Sequence, residues 1–270
     1  MTQSSLTPPP LTIAIPTLHT EDAEDALLGL LQRNADCLFP CWFGITPGET
    51  NAQLAKPLLE KLSAISLRTA FHENLGSAHW RIYEDELLID TIVSFTYNKL
   101  PSGNVEYIRA TIDVKKQLEE GGFETVWENP LNERYLQSYS LSQVLLTYGQ
   151  PKNILVFANK GWMYFNLILD YSDRGFVIWY SAPLESSGDK YLGCMSKAFT
   201  QLYLWAPKFS YTWAEGVTGT GDESEIDGLN RDFRLLEEVT SITSKEFYST
   251  FANTDHVGCV ETSKELWPEP

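Results

Sequence analysis

The residues best suited to chemistry are few and scattered: four cysteines and four histidines in a chain of 270. Cys37 and Cys41 stand together in Cys37-Leu-Phe-Pro-Cys-Trp-Phe-Gly-Ile-Thr-Pro-Gly-Glu-Thr50. Zinc would need two more ligands, and His19, His72, His79, His256, Cys194 and Cys259 stand at no ligand-like spacing. No metal site is assigned. A local disulfide across the proline-containing turn is the preferred reading of Cys37 and Cys41, with two buried thiols as the alternative. A second bond, Cys194 to Cys259, would tie the C-terminal segment to the strands before it, although four cysteines admit three pairings.

Carboxylates are plentiful, but nothing selects a pair. Glu84, Asp85 and Glu86 read as a solvated strand connection, and Asp170 and Asp173 flank a turn. Two such groups could flank a sugar bond in a glycosidase. No nucleophile elbow, phosphate loop, HExxH, EF-hand or dinucleotide fingerprint accompanies them. Gly216, Gly219 and Gly221 lack the spacing of a phosphate loop and read as a flexible acidic loop. No catalytic residue and no cofactor are expected. His72 and His79, separated by a turn at Gly76, read as a solvated cross-strand pair.

Aromatic side chains are the remaining binding chemistry. On alternating strand positions some must face away from the helices. Trp162, Tyr164, Trp179, Tyr180 and Trp205 are the candidate binding residues, able to pack on a protein or stack on a sugar. The competing reading makes them core, or covers them with the C-terminal segment.

The elements that would position these residues follow from pattern. Prolines and glycines make the stretch from Cys37 to Thr50 a shaped loop anchored by Trp42, Phe43 and Ile45. Thr20 is expected to cap a helix with Ala23, Ala26, Leu27, Leu30 and Leu31 as its apolar stripe. Thr50 and Gln53 read as a capping box for a second helix, kinked or divided at Pro57. Strands are predicted at Leu67–His72, Ala78–Tyr83, Leu87–Tyr97 and Val105–Val114, the last two joined by a turn over Lys99–Asn104. The order then recurs. A short helix over Pro130–Gln137 precedes one capped by Ser140 and Gln143. Strands follow at Ile154–Ala158, Trp162–Tyr171, Phe176–Tyr180 and Ala198–Trp205. Thr218–Gly228 reads as a mobile loop, and Leu229–Val239 and Ser244–Phe251 as helices, the last with a capping box of Thr243 and Glu246.

The expected fold is α+β: two tandem helix-loop-helix plus four-stranded antiparallel sheet units with a C-terminal helical extension. Its divisions are a Pro-rich flexible tether over 1–19, a first α+β repeat over 20–122, a second over 123–206, and the extension over 207–270. The net charge of −16 disfavours nucleic acid and anionic membrane, and no transmembrane segment is read. The tether, with Pro8, Pro9, Pro10 and Pro16, is of the kind that follows a cleaved signal in lipid-anchored proteins. The expected compartment is therefore secreted or cell envelope, with a lipid anchor ahead of the sequence in view. The alternative is a cytoplasmic regulatory or immunity protein with reduced cysteines.

The Cys37–Thr50 stretch, of pattern CxxPCWxGITPG, resembles a signature of exported bacterial proteins of lipoprotein type, and Tyr148-Gly149-Gln150-Pro151 resembles their second half. More distantly, the layout over Thr20–Trp205 is similar to the β-lactamase-inhibitor-protein-like fold. It is similar too to small outer-membrane assembly lipoproteins of the SmpA/OmlA type. The resemblance implies a non-enzymatic, extracytoplasmic binding or scaffold role. The leading expectation is thus recognition of a protein partner through a sheet face. The alternative is an extracellular carbohydrate-active or hydrolytic protein using a carboxylate pair.

Overall fold

A computed structural model describes residues 18–267 apart from 73, 85, 98–102, 119, 121, 127–133, 162, 220–221 and 254–257. Trp162, His256, Asp85, Gly221, most of the Lys99–Asn104 turn, the start of the Pro130–Gln137 helix and nearly all of the tether lie outside the described residues.

The described helices are α1 (Thr20–Arg33), α2 (Ala52–Glu60), α3 (Leu141–Tyr148), α4 (Trp213–Thr218), α5 (Glu223–Asp232), α6 (Leu236–Val239) and α7 (Ser244–Phe251). Their ends follow side-chain chemistry. Ser140 Oγ accepts from the Gln143 N–H and starts α3, which stops at Gly149 with φ 74°. Thr243 and Glu246 form the expected capping box of α7. Two expected caps sit one residue off. The cap of α2 is Asn51, whose Oδ1 accepts from the Gln53 N–H, while Thr50 Oγ1 accepts from Thr46 N–H instead. The N-cap of α1 is His19, with no side-chain bond, so Thr20 is its first residue. Pro57 lies inside α2 without dividing it.

The strands are β1 (Ser66–Phe71), β2 (Leu75–Glu84), β3 (Leu87–Tyr97), β4 (Val105–Gln117), β5 (Phe123–Thr125), β6 (Asn153–Asn159), β7 (Tyr164–Tyr171) and β8 (Phe176–Pro183). After them come β9 (Glu185–Ser187), β10 (Lys190–Cys194), β11 (Phe199–Trp205), β12 (Arg234–Leu235) and β13 (Cys259–Ser263). Ten of them form one antiparallel sheet in the order β1-β2-β3-β4-β11-β8-β7-β6-β12, with β5 also on β4. The sheet is thus continuous where two four-stranded sheets were expected. β4 and β11 pair from Thr200↔Ile112 to Trp205↔Tyr107, so each removes an open edge from the other. A small second sheet, β13-β10-β9, was not foreseen.

One face of the large sheet is covered by helices. Leu27 and Leu31 of α1, Ala55 and Leu59 of α2, Val144 and Leu145 of α3, and Phe247 and Phe251 of α7 share a core with Trp80, Val93, Phe95, Ile108, Leu167 and Ile178. The Cys37–Thr50 loop belongs to this core. Asn34 shapes it: its side-chain amide donates to the carbonyls of Cys37 and Cys41, and its oxygen accepts from Phe43 N–H. Phe39 stacks on Tyr148 with ring centroids 5.3 Å apart. Gly48 donates to the Val105 carbonyl, and a Cβ there would lie 2.8 Å from that of Ala206. The loop is therefore a clamp between β4 and the strands beyond the seam.

Thr218–Gly228, expected as a mobile loop, mostly forms α5, because Asp222 caps Ser224 and Glu225. The expected helix over Leu229–Val239 is broken at Phe233, where the chain extends into β12 and pairs with β6.

Candidate binding face of the sheet

The second face of the sheet has two different halves. Over β6, β7, β8 and β11 it carries Leu155, Ile168, Val177, Trp179, Tyr203 and Trp205, packed under Trp213 and Val217 of α4 and under Phe233. The backbone of α4 comes so close that a Cβ on Gly216 would sit 2.3 Å from the Trp205 ring. Over β1–β4 Leu88 and Asp90 are buried, but other outward residues stay accessible. Ile92, at the centre of β3, is 44% exposed, and Tyr83 is 55% exposed.

Register builds this second half row by row. Arg68, His79, Ile92 and Thr111 form one row, and Ala70, Ser77, Ser94 and Arg109 the next. On the other side of the His79 row, Arg81, Asp90 and Asp113 stand side by side. Asp90 is only 2% exposed and draws three groups: the His79 ring, and the cations Arg81 Nε at 3.2 Å and Lys115 Nζ at 2.5 Å. Burial alone would raise the Asp90 carboxyl, but Lys115 and His79 outweigh it and hold it below the ordinary carboxylate range. Asp113 goes the other way: burial pushes its carboxyl up against the pull of Lys115 and Thr125. Its Oδ2 accepts from Thr125 Oγ1 at 3.2 Å, while its Oδ1 is buried without a hydrogen bond. Asp113 lines a cavity of about 70 Å³, with Thr125, Ser196 and Thr200, where β5 leaves the side of β4 and β11 takes its place.

The sequence-predicted residues fall elsewhere. Tyr180 is 1% exposed, faces the helices and donates to the Tyr139 carbonyl. Trp205 is fully buried under α4. Both are corrected from candidate contacts to core. Trp179 is half-buried, donates to Asn166 Oδ1 and meets Phe233 edge-on at 5.1 Å. Tyr164 is half-buried against Phe199. The competing reading, burial under the C-terminal segment, is what the structure has for Trp205 and largely for Trp179. Disulfides join Cys37 to Cys41 and Cys194 to Cys259. Among the described residues no group of three or more His, Cys, Asp or Glu could hold a metal ion.

The histidines do not pair with each other. His72 sits at the β1–β2 turn, while His79 lies opposite Arg68 and binds Asp90. Of the acidic groups singled out earlier, Glu84 binds Arg134 and Tyr135, and Glu86 pairs with Lys116. Asp170 is buried and accepts from Ser172 N–H and Asn153 Nδ2. The cluster around Asp90 was missed. The signal that could have found it is its place on the polar alternate positions of β2, β3 and β4. No helix among the described residues is long and apolar enough to cross a membrane. Compared with protein-family models, curated proteins and solved structures, the chain matches none.

Proposed function

We propose that this chain is a non-enzymatic binding protein that receives a protein partner on the open face of β1–β4. The observation that carries this reading is the asymmetry of the second face: the β6–β8 and β11 half is covered by α4 and Phe233, while Ile92 stands exposed at the centre of the other half. A stiff sheet surface with an apolar centre and a polar surround has the composition of a recognition surface. In this reading the two strand sets joined at β4–β11 are tandem α+β units, as in the β-lactamase-inhibitor-protein-like fold that the layout over Thr20–Trp205 resembles. The two disulfides suit an extracytoplasmic compartment.

The hydrolytic alternative has one favourable feature, two neighbouring carboxylates held in opposite directions from their ordinary range. Yet Asp90, which orients His79, is also shared by Arg81 and Lys115. That arrangement suits a fixed charge better than a group that passes protons.

A photo-crosslinking amino acid at Ile92, compared with one at the exposed Leu146 of α3, tests the reading in the native host. An adduct of one discrete mass from position 92, absent from position 146, is expected. Equal labelling from both positions, or no adduct from position 92, would refute it.

A further inference from the structure

We propose that the open face takes an acidic protein segment, held between Arg68 and Arg109. The inference rests on the reading of this face as a partner site and names the chemistry of the partner.

The chain carries 36 acidic and 20 basic residues, so a surface where bases prevail is exceptional for it. On the outward positions of β1–β4, Arg68, Arg81, Arg109 and Lys115 stand against Asp90 and Asp113. Arg81 and Lys115 are engaged with Asp90. Arg68 and Arg109 are exposed and form no ion pair among the described residues. The Arg109 guanidinium lies 5.4 Å from the centre of the Tyr203 ring, which holds it ready for a carboxylate.

Between the two arginines lies a floor of Ala70, Ser77, Ser94 and Thr111, all small, together with Ile92 and the His79 ring, which Asp90 holds. Three inter-strand spacings and a two-residue offset separate Arg68 from Arg109 by about 16 Å. Carboxylates four residues apart on an extended segment are about 14 Å apart and point the same way, within reach of two long side chains. The floor leaves room for the backbone of such a segment, and Ile92 meets an apolar side chain between the two acids. The rest of this acidic surface repels an acidic partner, which concentrates its docking on this face. The same net charge, with only two arginines here outside ion pairs and one of them, Arg109, also donating to Gln201 Oε1 at 3.5 Å, disfavours polyanions such as nucleic acid and anionic lipid.

The test is fluorescence anisotropy with a labelled extended peptide carrying glutamate at every fourth position, and its glutamine counterpart. The proteins are the full chain, Arg68→Glu/Arg109→Glu, and Lys152→Glu/Lys245→Glu, which makes the same net-charge change away from the face. The glutamate peptide is expected to bind at least about tenfold tighter than the glutamine one, and less tightly as salt rises. The arginine reversal should lose about tenfold, and the lysine reversal less than about twofold. Equal binding of the two peptides, an undiminished arginine reversal, or full competition by phosphatidylglycerol vesicles or oligothymidylate would overturn the proposal. An adduct at position 92 whose crosslinked segment lacks acidic residues would sink the acidic assignment and leave the face as a partner site. Failure of both crosslinking and peptide binding would remove both.

Discussion

Asp90 and Asp113 face each other across β3 and β4, yet substitution of each by asparagine should move stability in opposite directions. The folded Asp90 carboxyl lies below its unfolded value, so its contribution is present above the ordinary carboxylate range and is lost as pH falls through the folded value. The folded Asp113 carboxyl lies above its unfolded value, so its contribution is present in acid and declines as pH rises through the ordinary range towards the folded value. At neutral pH, Asp90→Asn leaves His79, Arg81 and Lys115 without their shared anion. Each is about a quarter exposed and can turn partly to water, so the loss should be about 2–3 kcal/mol, below that of a fully enclosed pair. Asp113→Asn removes a buried charge while its amide oxygen still accepts from Thr125, for a gain of about 0.5–1 kcal/mol. The two variants should therefore differ by about 3 kcal/mol, or about 1 M in the urea midpoint for a steep transition. Urea unfolding followed by tryptophan fluorescence between pH 4 and pH 8 reads both the gap and its pH dependence (an assay range, about the span of the carboxylate shifts). Asp113→Asn should flatten the decline on the neutral side, and Asp90→Asn should flatten the fall in acid. Shifts of the same sign at neutral pH would refute this account of the cluster.

Three further outcomes follow from the packing. The Cys194–Cys259 bond closes 65 residues and the Cys37–Cys41 bond only 4, so the paired alanine variants should lose about 4 and about 2 kcal/mol in urea unfolding; the reverse order would count against chain entropy as the cause. Gly216→Ala drives a methyl into the Trp205 ring and should cost about 2–3 kcal/mol, with faster amide exchange in α4, whereas Gly228→Ala, with nothing within 4 Å, should be neutral or stabilising. Asn34→Ala removes three loop-shaping hydrogen bonds and should lower stability by about 3 kcal/mol, read as a fall in Tm; a loss below about 0.5 kcal/mol would mean the loop holds its shape without that side chain.

What was legible in the chain is what neighbours along the chain decide. Ser140 reaches the Gln143 N–H and Thr243 pairs with Glu246 because each partner is three residues away, within one turn. The alternation of Ile108, Ala110, Ile112 and Val114 is a property of β4 itself. The Cys194–Cys259 bond was legible only as one of three pairings; the alignment of β10 with β13 selects it. The misread segments failed for a local reason as well: in Thr218–Gly228 the glycines outweighed Asp222, whose cap starts α5.

The binding face was of the other kind. Trp179 and Tyr180 are adjacent in sequence and lie on opposite faces, so composition marks them alike while the pleat separates them. Which of those faces is open depends on where α4, α5 and Phe233 return, and their apolar side chains find the sheet only after it has formed. The seam between β4 and β11, and the meeting of His79, Arg81, Asp90 and Lys115, likewise depend on register between strands far apart in the chain. By itself the sequence determined the capped helices α3 and α7, the long strands and the apolar stripe of each. Tertiary structure decided how those stripes were shared out, because one sheet face can be buried only once and the segment that arrives leaves the rest to solvent.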